Sequence, residues 1–202
     1  MANHAQGRED PLAAEEEPPL QGDARVLYRA MRECIRTSPT AFSMTLEEFR
    51  KKSADHWDHE VRTATWAVIE RSAEVIGIAV ARHPDSEQDA DVDQGRARFI
   101  ESAWITPKHR RSRMGKRLIE FLFDEERRRY PRVDQFWLWV FDDNEEAISF
   151  YSQMGFEFTG VSKKHVPSGR TELRYRYTWN LSSSRASEGT AANETYRILN
   201  AE

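Results

Sequence analysis

The run Ile105-Thr106-Pro107-Lys108-His109-Arg110-Arg111-Ser112-Arg113-Met114-Gly115-Lys116-Arg117-Leu118 constrains this chain most. An apolar segment from Phe99 to Ile105 leads into a short basic loop, and the loop opens into an amphipathic helix. A helix start leaves backbone N–H groups unpaired and carries partial positive charge, so it attracts anions. Five Lys or Arg side chains between Lys108 and Lys116 add full charges there. Basic residues oppose the helix dipole at this end, which costs stability unless an anion is present. The competing reading is a solvated basic face.

A length of 202 residues suits one domain with a full core. The net charge of −4 argues against nucleic acid or a membrane surface as a partner. No apolar run approaches the ~20 residues that cross a bilayer, and the N-terminus lacks a signal pattern. The single cysteine, Cys34, excludes an internal disulfide and fits a reducing, cytoplasmic setting. The histidines lie without ligand spacing, so no metal site is expected.

Residues 1–22 and 182–202 read as disordered tails around a domain at 23–181, although Tyr196, Ile198 and Leu199 are apolar enough to dock. Helical periodicity covers 23–37, and Thr45 with Glu48 forms a capping-box pattern for a helix near 46–56. Strands are expected at Thr65–Glu70, Val75–Arg82, Arg98–Ile105, Phe136–Phe141, Phe156–Val161 and Glu172–Leu181. Helices are expected at Met114–Arg129 and Asn144–Met154, the second capped by Asp143 or Asn144 and ended by Gly155. Alternating strands and helices with hairpins at both ends imply an α/β (α+β) fold, a mixed sheet with helices on its faces.

Two motifs resemble the GNAT superfamily of N-acetyltransferases. One is the loop Arg110-Arg111-Ser112-Arg113-Met114-Gly115, preceded by Pro107. The other is Asn144-Glu145-Glu146-Ala147-Ile148-Ser149-Phe150-Tyr151-Ser152-Gln153-Met154-Gly155-Phe156. The resemblance covers roughly 23–180. It implies a mostly antiparallel sheet and transfer of acetyl from acetyl-CoA to an amine on a small molecule or a protein. By that resemblance the pyrophosphate rests on Arg111, Ser112, Arg113, Met114, Gly115 and Lys116, with Arg110 opening the motif. The pantetheine arm follows the backbone of Ala103, Trp104 and Ile105, and Asn144 contacts it. Tyr151 occupies the position of the general acid.

Three departures stand out. Arg113 replaces the central glycine of the loop, and the positions where family members carry a carboxylate base hold Phe99 and Trp139. Glu101, two residues past Phe99 on the same strand face, is the remaining candidate base. His165 and Glu172 are candidates for shaping an acceptor site. A non-enzymatic CoA-binding sensor or interaction module is the alternative that these departures motivate. The acceptor and the oligomeric state are not written in the sequence.

Overall fold

The computed structural model describes residues 17–85, 87, 89–179 and 194–200. Three helices come first: α1 (Gly22–Thr37), α2 (Leu46–Arg50) and α3 (Ala54–Thr63). They are followed by β1 (Thr65–Arg71), β2 (Glu74–Arg82), β3 (Ala97–Ile105), α4 (Met114–Arg129) and β4 (Gln135–Phe141). The chain closes with α5 (Glu145–Gln153), β5 (Glu157–Lys164), β6 (Thr171–Thr178) and β7 (Thr195–Ile198). The seven strands form one sheet in the order β5-β6-β4-β3-β2-β1-β7. Only β3 and β4 run parallel among the described strands. A parallel pair needs a crossover, and α4 supplies it.

Strand alternation divides the core between the two faces of the sheet. Ala67, Ile69, Ala79, Ile100, Phe136 and Leu138 pack against Leu118, Leu122 and Phe123 of α4. Trp66, Val68, Ile78 and Val80 pack on the other face against Leu27 and Met31 of α1 and Trp57 of α3. A third cluster joins Val92, Ala97, Phe99 and Trp137 on that same second face. β4 is therefore covered on both sides, as its unbroken apolar run implies. The β1–β2 hairpin turns at Ser72 and Ala73, both at positive φ, the geometry of a type I′ turn.

Three expectations change. The helix expected near 46–56 is two helices: Thr45 and Glu48 form the capping box of α2, and Ser53 then caps α3 by accepting the His56 N–H. The chain before residue 23 is not all tail, because Leu20 is 1% exposed beneath α1. The C-terminal tail contains β7, which pairs with β1. Ile198 and Leu199 point to opposite faces and bury in the two main cores, so the return of the chain adds apolar burial on both. The rest of the expected tails, residues 1–16, 182–193 and 201–202, lies outside the described residues, as does the end of the expected last strand at 180–181.

Candidate active site

The parallel pairing of β3 and β4 is short: Ala97, Arg98 and Phe99 match Gln135, Phe136 and Trp137. Beyond Phe99 the strands part. The cause is visible in β3, which carries one extra residue against β2 between Glu101 and Trp104, with Ser102 at φ 49°. Such a bulge bends and twists its strand. The edge of β3 from Ile100 to Ile105 thus lacks a strand partner on the β4 side. Ala103, Trp104 and Ile105 offer backbone along this parting. The Trp104 side chain itself is buried in the α1 core, so only its main chain is available to a ligand.

The basic loop crosses one end of the parting. Arg111 and Arg113 both sit in left-handed backbone (φ 61° and 66°), and Arg113 is the N-cap of α4 with no side-chain cap. The backbone N–H groups of Arg111 through Lys116 find no acceptor among the described residues. Lys108 pairs with Glu74, Lys116 lies 3.6 Å from Glu120, and Arg110 donates to the Ile105 carbonyl and the Ser38 hydroxyl. Arg110 is thus a brace between loop, strand and the segment after α1. Arg111 and Arg113 are exposed and make no ion pair among the described residues. Uncapped amides and two unspent guanidinium groups converge where the sequence placed an anion.

The left-handed position of Arg113 explains why glycine suits it: an L side chain there costs roughly 1–2 kcal/mol. Arg113→Gly removes this strain and one repulsive charge, offset in part by the greater chain entropy of glycine. We expect a net gain of about 0.5–1 kcal/mol and a rise in Tm of about 2 °C without ligand. Differential scanning calorimetry checks it, and a fall in Tm refutes it. Gly115 is a different case. A Cβ there would lie 3.4 Å from the Phe150 ring and 3.6 Å from Ile105, ordinary contact distances, so packing against α5 and β3 does not by itself require glycine.

α5 carries the second motif. The Asn144 side chain accepts the Ala147 N–H at 3.2 Å, which settles the cap in favour of Asn144. Gly155, at φ 95°, ends the helix. Tyr151 packs against Phe150 and Phe156 on the α4 side of the sheet. Its hydroxyl makes no hydrogen bond among the described residues, and burial pushes its phenol well above the usual tyrosine range.

On the opposite face the parting opens into a cleft of about 500 Å³ whose lining includes Arg82, Asp89, Phe99, Glu101, Trp139 and Lys163. Glu101 is 51% exposed toward it. The protein packed around its carboxyl still raises it above the usual glutamate value; Arg82 opposes this, while Glu60 and Asp89 reinforce it. Arg82 Nε donates to Glu101 at 3.0 Å, and its other nitrogen pairs with Glu60 of α3. Sequence reasoning missed Arg82, Glu60 and Asp89, which no motif marks. His165 packs on Phe141, and Glu172 pairs with Lys163 at the cleft wall. No group of residues among those described is arranged to hold a metal ion, and no described helix is long and apolar enough to cross a membrane.

The sheet thus parts beside an uncapped, cationic helix start. The family model for Acetyltransferase (GNAT) family matches residues 28–156, and the chain belongs to this family of acetyltransferases. Comparison with curated proteins gives no significant match. The fold recurs in smu.2055 of Streptococcus mutans, at 17% identity and a TM-score of 0.60, over 78% of this chain and 96% of that one. It is also similar to NAA60 of Arabidopsis thaliana in complex with a bisubstrate analogue, at 17% identity, TM-score 0.58, over 81% and 98% of the two chains. A third similar structure is yncA of Salmonella typhimurium with its cofactor acetyl-CoA, at 15% identity, TM-score 0.58, over 82% and 93%.

Proposed function

We propose that this protein is an acetyl-CoA-dependent N-acetyltransferase acting on a primary amine, with Tyr151 as general acid and Glu101 as base. The observation that carries the reading is the unpaired amide run from Arg111 to Lys116 at the mouth of the β3–β4 parting. Those amides, with Arg111 and Arg113, would hold the pyrophosphate. The free edge of Ala103, Trp104 and Ile105 would hold the pantetheine arm as an added strand, beside Asn144. The acetyl-CoA found with yncA is consistent with this use of the fold.

Acetyl-CoA supplies a thioester whose C–S bond breaks as the amine nitrogen forms its bond to the acetyl carbon. Glu101 accepts the proton that the nitrogen loses, directly or through one water. Tyr151 donates its proton to the departing thiolate. Tyr151 packs on the α4 face and Glu101 lines the cleft on the other, so in this reading acid and base approach the reacting centre from opposite sides of the parting. The Arg82 ion pair keeps the Glu101 carboxylate in place while its raised pKa keeps it a serviceable base.

The test is calorimetric titration with acetyl-CoA followed by a thiol-release assay over an amine panel. Saturable binding and multiple turnovers are expected. Because Glu101 acts only when deprotonated, and its pKa is raised, kcat/KM should fall on the acid side at a higher pH than an ordinary glutamate would give. Tight binding with no turnover on any amine would instead establish a CoA-binding sensor or interaction module, the reading favoured by Phe99 and Trp139 at the positions where relatives carry carboxylates.

A further inference from the structure

Two acidic residues at the start of α5 are already engaged. Asp143 is held by Arg170, and Glu146 lies 3.9 Å from Arg110. The cleft on the Glu101 face is different. Its two cations are already engaged: Arg82 with Glu60 and Glu101, and Lys163 with Glu172. Burial and the nearby Arg98 hold the His83 imidazole below its usual value, so it adds little positive charge. Among the described lining residues, Asp85, Asp89 and Glu101 stand against Arg82 and Lys163; Arg174, which also acts on Asp89 from beside Trp139, is itself paired with Asp91.

Asp89 is the residue that this surplus leaves unexplained. It is 6% exposed, lines the cleft, and its Oδ1 is buried with no hydrogen-bond partner among the described residues. Its other oxygen accepts the Asp85 N–H at 3.3 Å, and the Trp139 indole assists weakly. A buried carboxylate oxygen without a donor is costly unless something supplies one. Beside it, the Trp139 ring already carries the Lys163 ammonium at 4.1 Å. That is cation–π geometry, which a ligand ammonium can also take. Lys163 has a second partner in Glu172 to fall back on.

Resting on the acetyltransferase reading, we infer that the cleft takes an acceptor with two cationic amino groups, one acetylated near Glu101 and the other held by Asp89 and the Trp139 face. The acceptor class is a short aliphatic diamine or polyamine. A monoamine of equal length leaves the Asp89 oxygen unpaired.

The experiment compares 1,4-diaminobutane with n-butylamine as acceptors for the full chain with acetyl-CoA. The wild-type kcat/KM should favour the diamine by about 10-fold or more, the discrimination that one charge-assisted hydrogen bond supplies. Asp89→Asn should bring the ratio toward one. Equal use of the two amines by the wild type overturns the inference, whether or not the variant folds. If neither amine is turned over, titration of diaminobutane into the CoA-saturated protein decides. Saturable binding of the diamine but not of butylamine supports the Asp89 site while sinking the enzymatic reading; no diamine binding sinks the site.

Discussion

Tyr151→Phe is expected to lower kcat for acetyl transfer by about 10²-fold, the low end of what a positioned acid contributes. The substitution is unusually clean. The Tyr151 ring packs against Phe150 and Phe156, and phenylalanine keeps both contacts. The lost hydroxyl has no partner among the described residues, so no hydrogen bond is broken and no group is orphaned. Tm should therefore stay within about 2 °C of wild type, since the substitution removes no stabilising contact worth a full kcal/mol. Catalytic loss and structural loss are separated in one variant. Burial raises the phenol pKa, so the side chain is protonated throughout the working pH range, but it is also a weaker acid, which places the expected effect at the low end. Thiol release at saturating acetyl-CoA, with an amine established as acceptor, checks the prediction; a kcat within threefold of wild type removes Tyr151 from the mechanism.

What was legible in the sequence was local. Charge at the start of α4, the Asn144 cap and Gly155 act within a few residues of where they are written, so strand, loop and helix followed directly. The left-handed backbone at Arg111 and Arg113 was hidden because neither position is glycine. The bulge at Ser102 was hidden for the same reason, although it parts the strands and opens the site. The acceptor side was least legible. Arg82, Glu60 and Asp89 come from β2, α3 and the loop after β2, and only the tertiary fold gathers them around Glu101. The return of β7 depended on burial of Ile198 and Leu199 against strands more than a hundred residues away.

The largest stability effect belongs to a buried pair that takes no part in the proposed chemistry. Arg98 of β3 and Glu126 of α4 meet at 2.7 Å with side chains 3% and 1% exposed. The guanidinium also donates to the Ala97 carbonyl and lies 4.2 Å over the Tyr130 ring. Glu126→Ala strands a buried cation and should cost about 3–5 kcal/mol, a fall in Tm of roughly 10 °C or more. The pair is not stabilising merely by existing, since Glu126 Oε1 is itself buried without a hydrogen-bond partner among the described residues. Replacing both residues with apolar ones of similar volume, Arg98→Met with Glu126→Leu, should thus recover most of the loss. The location gives the pair a functional consequence. Arg98 is the middle residue of the three that hold β3 against β4 before they part, and Glu126 bolts α4 across that point. Weakening the bolt loosens the hinge of the parting and the helix whose first amides are the proposed phosphate cradle. Acetyl-CoA should therefore bind more weakly to Glu126→Ala even at temperatures where the variant is folded, and the apolar double variant should restore binding along with Tm. Chemical denaturation and calorimetric titration read the two effects separately; a loss below 1 kcal/mol for Glu126→Ala would mean that water or a neighbouring group already compensates Arg98.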